Sequence, residues 1–125
     1  MSVDSKKACR PGDVLCVSVY GGVLHEGIVT DTGTIISNSR RNGCVMEESV
    51  RDFAGLNRIT NLGRLSTLDP YVAIYRARER LGRPYQPVRY NCQHFVRDCY
   101  QIRPKSAQRD IAVGALGVLA LFAIF

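Results

Sequence analysis

Four turn signals divide the first 48 residues into short apolar runs, and their spacing constrains the fold more than any other feature. Pro11-Gly12-Asp13 delivers the chain into Val14-Leu15-Cys16-Val17-Ser18-Val19-Tyr20, an apolar run that reads as a buried strand. Gly21-Gly22 is a two-residue hairpin signal, and 24–30 reads as the next strand. Asp31-Thr32-Gly33 precedes a third strand at 34–38, and Ser39-Arg40-Arg41-Asn42-Gly43 a short fourth at 44–47. Parallel neighbours need a crossover of roughly a dozen residues or more, for which these connections leave no room. An antiparallel meander is expected. Alternation on the second strand puts His25, Gly27 and Val29 on one face and Leu24, Glu26, Ile28 and Thr30 on the other.

The later chain reads as helical. Ser49 can cap a turn or slightly more of helix that Gly55 ends, and 57–61 reads as a further short strand. Asp69 is an N-cap and Pro70 a first helical residue, followed by the stripe Tyr71, Ile74, Ala77 and Leu81 and closed by Gly82 and Pro84. A last helix begins at Cys92 behind the cap Asn91, buries Phe95, Val96, Cys99 and Tyr100, and runs to about residue 102 before Pro104. The expected fold class is α+β, a small antiparallel sheet packed on helices. At 125 residues one domain is expected. Residues 1–10 are a polar lead, 11–102 the domain, and 103–125 a basic linker and hydrophobic tail; there are no internal repeats.

The formal charge is +6, with fourteen Arg against three Lys. The arginines are scattered and no aromatic-basic motif accompanies them, so nucleic acid is not expected; an anionic membrane surface or an acidic ligand fits the charge. The five cysteines are odd in number, form no Cys-x-x-Cys pair and have no metal spacing with the two histidines. No metal and no cofactor is expected. The first ten residues lack an apolar signal core, and free thiols fit a reducing, cytoplasmic setting. Residues 111–125 carry no polar side chain and follow Arg103, Lys105 and Arg109. Fifteen residues fall short of the about 20 that span a bilayer. Position and basic flank suit a C-terminal membrane anchor; the length suits a buried core helix.

Cys92 carries the chemistry. A thiol at the first position of a capped helix sits among free N–H groups that favour its thiolate, although cysteine is also among the most buried residue types. A thiolate nucleophile needs a base. His94 lies two residues on along the same helix, points away, and reads as structural. His25 is the histidine that a strand can bring to a helix N-terminus. Ser37 and Asn38, twelve and thirteen residues later, each offer an acceptor that can orient its ring.

Asn91-Cys92-Gln93-His94-Phe95 resembles the Asn-Cys-Glu-His-Phe signature of the lecithin:retinol acyltransferase-like proteins, a branch of the permuted NlpC/P60 thiol hydrolases. Other pieces match in order: Pro11-Gly12-Asp13-Val14-Leu15 resembles that family's opening, His25-Glu26-Gly27-Ile28-Val29 its histidine strand, and Arg76-Ala77-Arg78 with Leu81-Gly82 its helix ending in Leu-Gly. The resemblance covers roughly residues 11–102 and implies a permuted papain-like fold, Cys92 as nucleophile and His25 as base. Animal members carry a second histidine where Ser37 stands, with Asn38 beside it; the wider group accepts Asn, His or Gln in the third role. Gln93 replaces the signature's Glu. The stretch around Ile36-Ser37-Asn38-Ser39-Arg40-Arg41 resembles bacterial members more than animal ones, and the tail resembles the anchor of mammalian acyltransferase and phospholipase members. The implied activity is acyl transfer or hydrolysis through an acyl-cysteine, on a lipid ester. The alternatives are an amidase or isopeptidase of the related permuted papain-like group, or a silent binding module recruited to a membrane.

Overall fold

The computed structural model describes residues 9–18 and 22–102. The expectations for most of the N-terminal lead and for the tail at 111–125 lie outside the described residues. Among the described residues, no helix is long and apolar enough to cross a membrane.

The strands are β1 (Val14–Ser18), β2 (Leu24–Val29), β3 (Ile35–Asn38), β4 (Val45–Glu48) and β5 (Ile59–Gly63), and the helices are α1 (Val50–Ala54), α2 (Pro70–Glu79) and α3 (Cys92–Cys99). The class is α+β, as expected from the sequence. The sheet order is β4-β3-β2-β1-β5. The first four strands form the meander that their short turns require. Val14 stands opposite Ile28 and Ser18 opposite Leu24 in the β1–β2 ladder. β5 returns antiparallel along the far side of β1. Two residues separate its start from the expected one, because its register is set by pairing with β1 and not by its own weak pattern.

Both faces of the sheet are covered. Val14, Ile28 and Ile36 pack against Ile74, Ala77 and Phe95 of α2 and α3. Leu15, Val17, Val29 and Ile35 pack against Phe53 and Ala54 of α1 on the other side. This explains why β1 is apolar without alternation: Val14 to Val17 are all buried. Helix α2 stops at Glu79 with Arg80 as its cap, short of the expected Leu81. The segment that follows pairs with the start of β4 instead: Gly82 N–H donates to the Val45 carbonyl at 2.8 Å, Val45 N–H to Arg83 at 2.9 Å and Tyr85 N–H to Gly43 at 3.0 Å. That pairing leads the chain from α2 to α3.

Two glycines are fixed by close approach. At Gly12, with φ +87°, an added Cβ would lie 2.4 Å from Pro70 Cβ. The Tyr100 hydroxyl donates to the Gly12 carbonyl, so the entry to β1, the start of α2 and the end of α3 meet there. At Gly27 an added Cβ would lie 2.5 Å from Ile35 Cγ2 and 2.9 Å from Phe53 Cε1. Gly27→Ala therefore forces Phe53 away from β2. The expected cost is about 1–3 kcal/mol of overpacking strain, read as a lower urea midpoint at unchanged m-value; a midpoint equal to wild type would refute the close packing of α1.

Candidate functional site

The N-terminus of α3 is capped from both directions. The Asn91 side chain accepts from Gln93 N–H at 3.0 Å and His94 N–H at 3.2 Å. His94 Nδ1 accepts from the Asn91 backbone N–H at 3.2 Å, completing a capping box with histidine in the third position. His94 is thus a buried, backbone-bonded residue, as its place on the helix suggested. Asn91 Nδ2 also donates to the Pro87 carbonyl at 3.0 Å. These bonds fix the first turn and aim Cys92 at the sheet.

Cys92 reaches β2 at an overhang. The β2–β3 ladder runs only from Gly27–Ser37 to Val29–Ile35, so Leu24, His25 and Glu26 extend past it. The Cys92 thiol donates to the Leu24 carbonyl at 3.6 Å. The backbone N–H groups of Glu26 and Gln93 bond toward the same sulfur. The thiol therefore meets the backbone on either side of His25.

His25 lies on the α1 side of the sheet, the face it shares with Val29, and its ring stands 4.9 Å from that of Phe53. Its Nε2 is buried with no hydrogen-bond partner. The thiol bonds to Leu24, not to this nitrogen. Ser37, paired with Gly27, stands on the same face as His25, one diagonal step away, and its hydroxyl is likewise buried and unpaired. Asn38 belongs to the opposite face. Its Nδ2 donates to the Tyr90 carbonyl at 2.8 Å, and its Oδ1 is buried and unpaired. The two residues left open by the sequence thus separate: Ser37 stands near the imidazole, and Asn38 braces the turn that presents Cys92.

Tyr85 was not singled out from the sequence. Its hydroxyl is a fourth buried oxygen or nitrogen without a partner, and it lies within electrostatic reach of Cys92 and Arg40. Buried polar atoms are nearly always paired, so the four orphans among the described residues mark out His25, Ser37, Asn38 and Tyr85. A tyrosine seven residues before the cysteine carries no signal by itself; only the pairing of residues 82–85 with the start of β4 brings it in.

A second network holds this wall. Asp98 accepts from the Tyr90 hydroxyl at 2.7 Å and from Arg80 Nε at 2.6 Å, with Arg76 Nη2 at 3.4 Å. The Arg83 guanidinium lies 4.0 Å over the Tyr90 ring. Burial alone would raise the Asp98 carboxyl, but the Arg80 and Tyr90 hydrogen bonds and the Arg80 and Arg76 charges hold it below its ordinary value. Among the described residues, no group of three or more His, Cys, Asp or Glu side chains could hold a metal ion.

Burial disfavours the charged form of both Cys92 and His25. Burial pushes the Cys92 thiol up to about 12; the N–H groups of Glu26 and Gln93 oppose this, while the Glu26 carboxylate and Cys16 add to it. The helix N-terminus does favour the thiolate, but loss of water outweighs it. Burial pushes the His25 imidazolium down to about 4, with the Arg41 guanidinium contributing.

A buried neutral imidazole makes folding sensitive to acid. The unfolded chain takes up a proton at His25 near 6.5, whereas the folded chain does so only near 4. Stability is then fully present above 6.5 and is lost as pH falls toward about 4. His25→Gln should remove up to on the order of 3 kcal/mol of that acid-side loss. Urea midpoints at a series of pH values measure it; parallel wild-type and variant curves would contradict a buried neutral His25.

No protein-family model matches this chain, and no curated protein matches it in sequence.

Proposed function

We propose that the domain is a thiol-dependent acyltransferase or hydrolase, in which Cys92 attacks an ester carbonyl and His25 takes and returns the proton. The observation that carries this reading is the meeting of the capped N-terminus of α3 with the overhang of β2. It sets the Cys92 sulfur against the backbone flanking a buried histidine whose Nε2 has no partner. The resemblance of Asn91-Cys92-Gln93-His94-Phe95 to the lecithin:retinol acyltransferase-like signature, and the order of histidine strand before cysteine helix, support a permuted papain-like arrangement. Ser37, on the face of His25, is the better placed to orient the ring, and Asn38 acts on the nucleophile's turn. In the reaction, the Cys92 thiol loses its proton to His25 as the sulfur bonds to the carbonyl carbon. The tetrahedral oxyanion is met by the Cys92 backbone N–H at the start of α3, the Gln93 and His94 N–H groups being held by the Asn91 side chain. The alkoxide leaves with the proton from His25, and the acyl-Cys92 passes to water or an amine.

A lipid ester is the favoured substrate, on the resemblance and on the apolar residues 111–125 as an anchor to a membrane from the cytoplasmic side. The second reading, a silent binding module, is favoured by the thiol's bond to the Leu24 carbonyl in place of the imidazole.

Incubation with a short-chain phospholipid and with a p-nitrophenyl ester, followed by peptide mass mapping, tests the proposal. An acyl group is expected on Cys92, absent in Cys92→Ala and formed about 10²–10⁴-fold more slowly in His25→Ala. Acylation from a peptide amide but not from either ester would move the activity to the amidase group. No acyl-Cys92 from any donor, in a protein that melts cooperatively, would leave the silent module.

A further inference from the structure

Glu26 follows His25 directly, and alternation turns its carboxylate to the other face of β2, toward α3. That side chain is 4% exposed and meets Arg97 Nη1 at 2.7 Å. The same Arg97 nitrogen lies 3.4 Å from the Gln93 carbonyl, one turn back on α3 and adjacent to Cys92. The Glu26 backbone N–H bonds toward the Cys92 sulfur, so one residue touches the thiol with its backbone and the thiol's helix with its side chain. The cross-strand partner of Glu26 is Cys16.

We propose that Glu26 and Arg97 are a positioning pair: their ion pair ties the strand of His25 to the helix of Cys92 and balances the charge at the Cys92 sulfur. This deepens the acyl-transfer reading and rests on it for its catalytic meaning.

A buried ion pair is a poor way to gain stability, because desolvating two charges offsets most of their attraction and an apolar pair would hold the helix as well. What an ion pair supplies is direction and field. The groups within electrostatic reach of the sulfur are Glu26 from β2, Cys16 from β1 and Tyr85 from the segment before α3. Arg97 from α3 meets the Glu26 carboxylate and acts on Cys16, and His25 lies on the other face of β2. Burial keeps His25, Cys16 and Tyr85 uncharged at neutral pH. Glu26 and Arg97 are then the charged members of this group. A lone carboxylate would keep the thiol protonated, and a lone guanidinium would draw the proton off. Together they leave the thiol to be activated by its base when an acyl donor arrives.

The test uses the full chain and measures alkylation of Cys92 by iodoacetamide against pH, with peptide mass mapping, beside acylation kinetics on the p-nitrophenyl ester. Glu26→Gln should move the Cys92 alkylation profile down by about one pH unit, roughly a tenfold faster reaction at neutral pH. Arg97→Gln should move it up. The double variant should return close to the wild-type profile and still acylate more slowly, with the loss in kcat and not in KM. Arg97→Lys keeps the charge and serves where the neutral variants do not fold: it should keep the wild-type profile and lower kcat. Cooperatively melting variants whose profiles coincide with wild type would overturn the proposal, as would a shifted profile in Arg97→Lys. If the wild type forms no acyl-enzyme with any ester, the acyl-transfer reading fails, while the alkylation profiles still decide whether the pair sets the charge at Cys92.

Discussion

The site depends on a junction between a helix end and a strand that outruns its neighbour. The β2–β3 ladder stops at Gly27–Ser37, and Leu24 to Glu26 extend past it. Exposed ladder groups inside a fold must find other partners. The N-terminal turn of α3 supplies one, with the Cys92 thiol bonded to the Leu24 carbonyl and two N–H groups converging on its sulfur. Around this joint, α2 and the segment that pairs with the start of β4 form the wall, and α1 closes the opposite face over His25.

Burial dominates the electrostatics of this joint. A helix N-terminus and two N–H donors favour a thiolate, yet removal of water leaves Cys92 a thiol and His25 a neutral imidazole. Both groups are therefore uncharged near neutral pH, and the thiol is bonded to the Leu24 carbonyl and not to the imidazole. Charge is carried one layer out, by Glu26 with Arg97 and by Asp98 with Arg80 and Arg76, where each carboxylate has a guanidinium partner. These two carboxylates tie α3 to β2 on one side and to α2 and Tyr90 on the other.

Much of this was legible in the residues. The four turn signals fixed the meander, since connections so short permit antiparallel neighbours only. Asn91 was legible as a cap, Asp69-Pro70 as a helix start, and His94 as structural from its place on the helix of Cys92. These are local properties, set by backbone hydrogen bonding within a few residues. The alternation of β2 also showed that His25 and Glu26 face opposite sides.

Tertiary structure decided the rest. Which face receives α3 is not written in β2, because both of its faces are buried; packing put α3 on the side of Glu26 and α1 on the side of His25. Ser37 and Asn38 were equivalent in sequence, and the register with Gly27 separated them. Tyr85 and the partner of Glu26, Arg97, enter through contacts between residues far apart along the chain, which periodicity and capping do not encode. The sequence determined the strands, the caps and the thiol at a helix start, because each depends on neighbours in the chain. The surroundings of that thiol, and hence its charge, were decided only when two separate elements removed it from water.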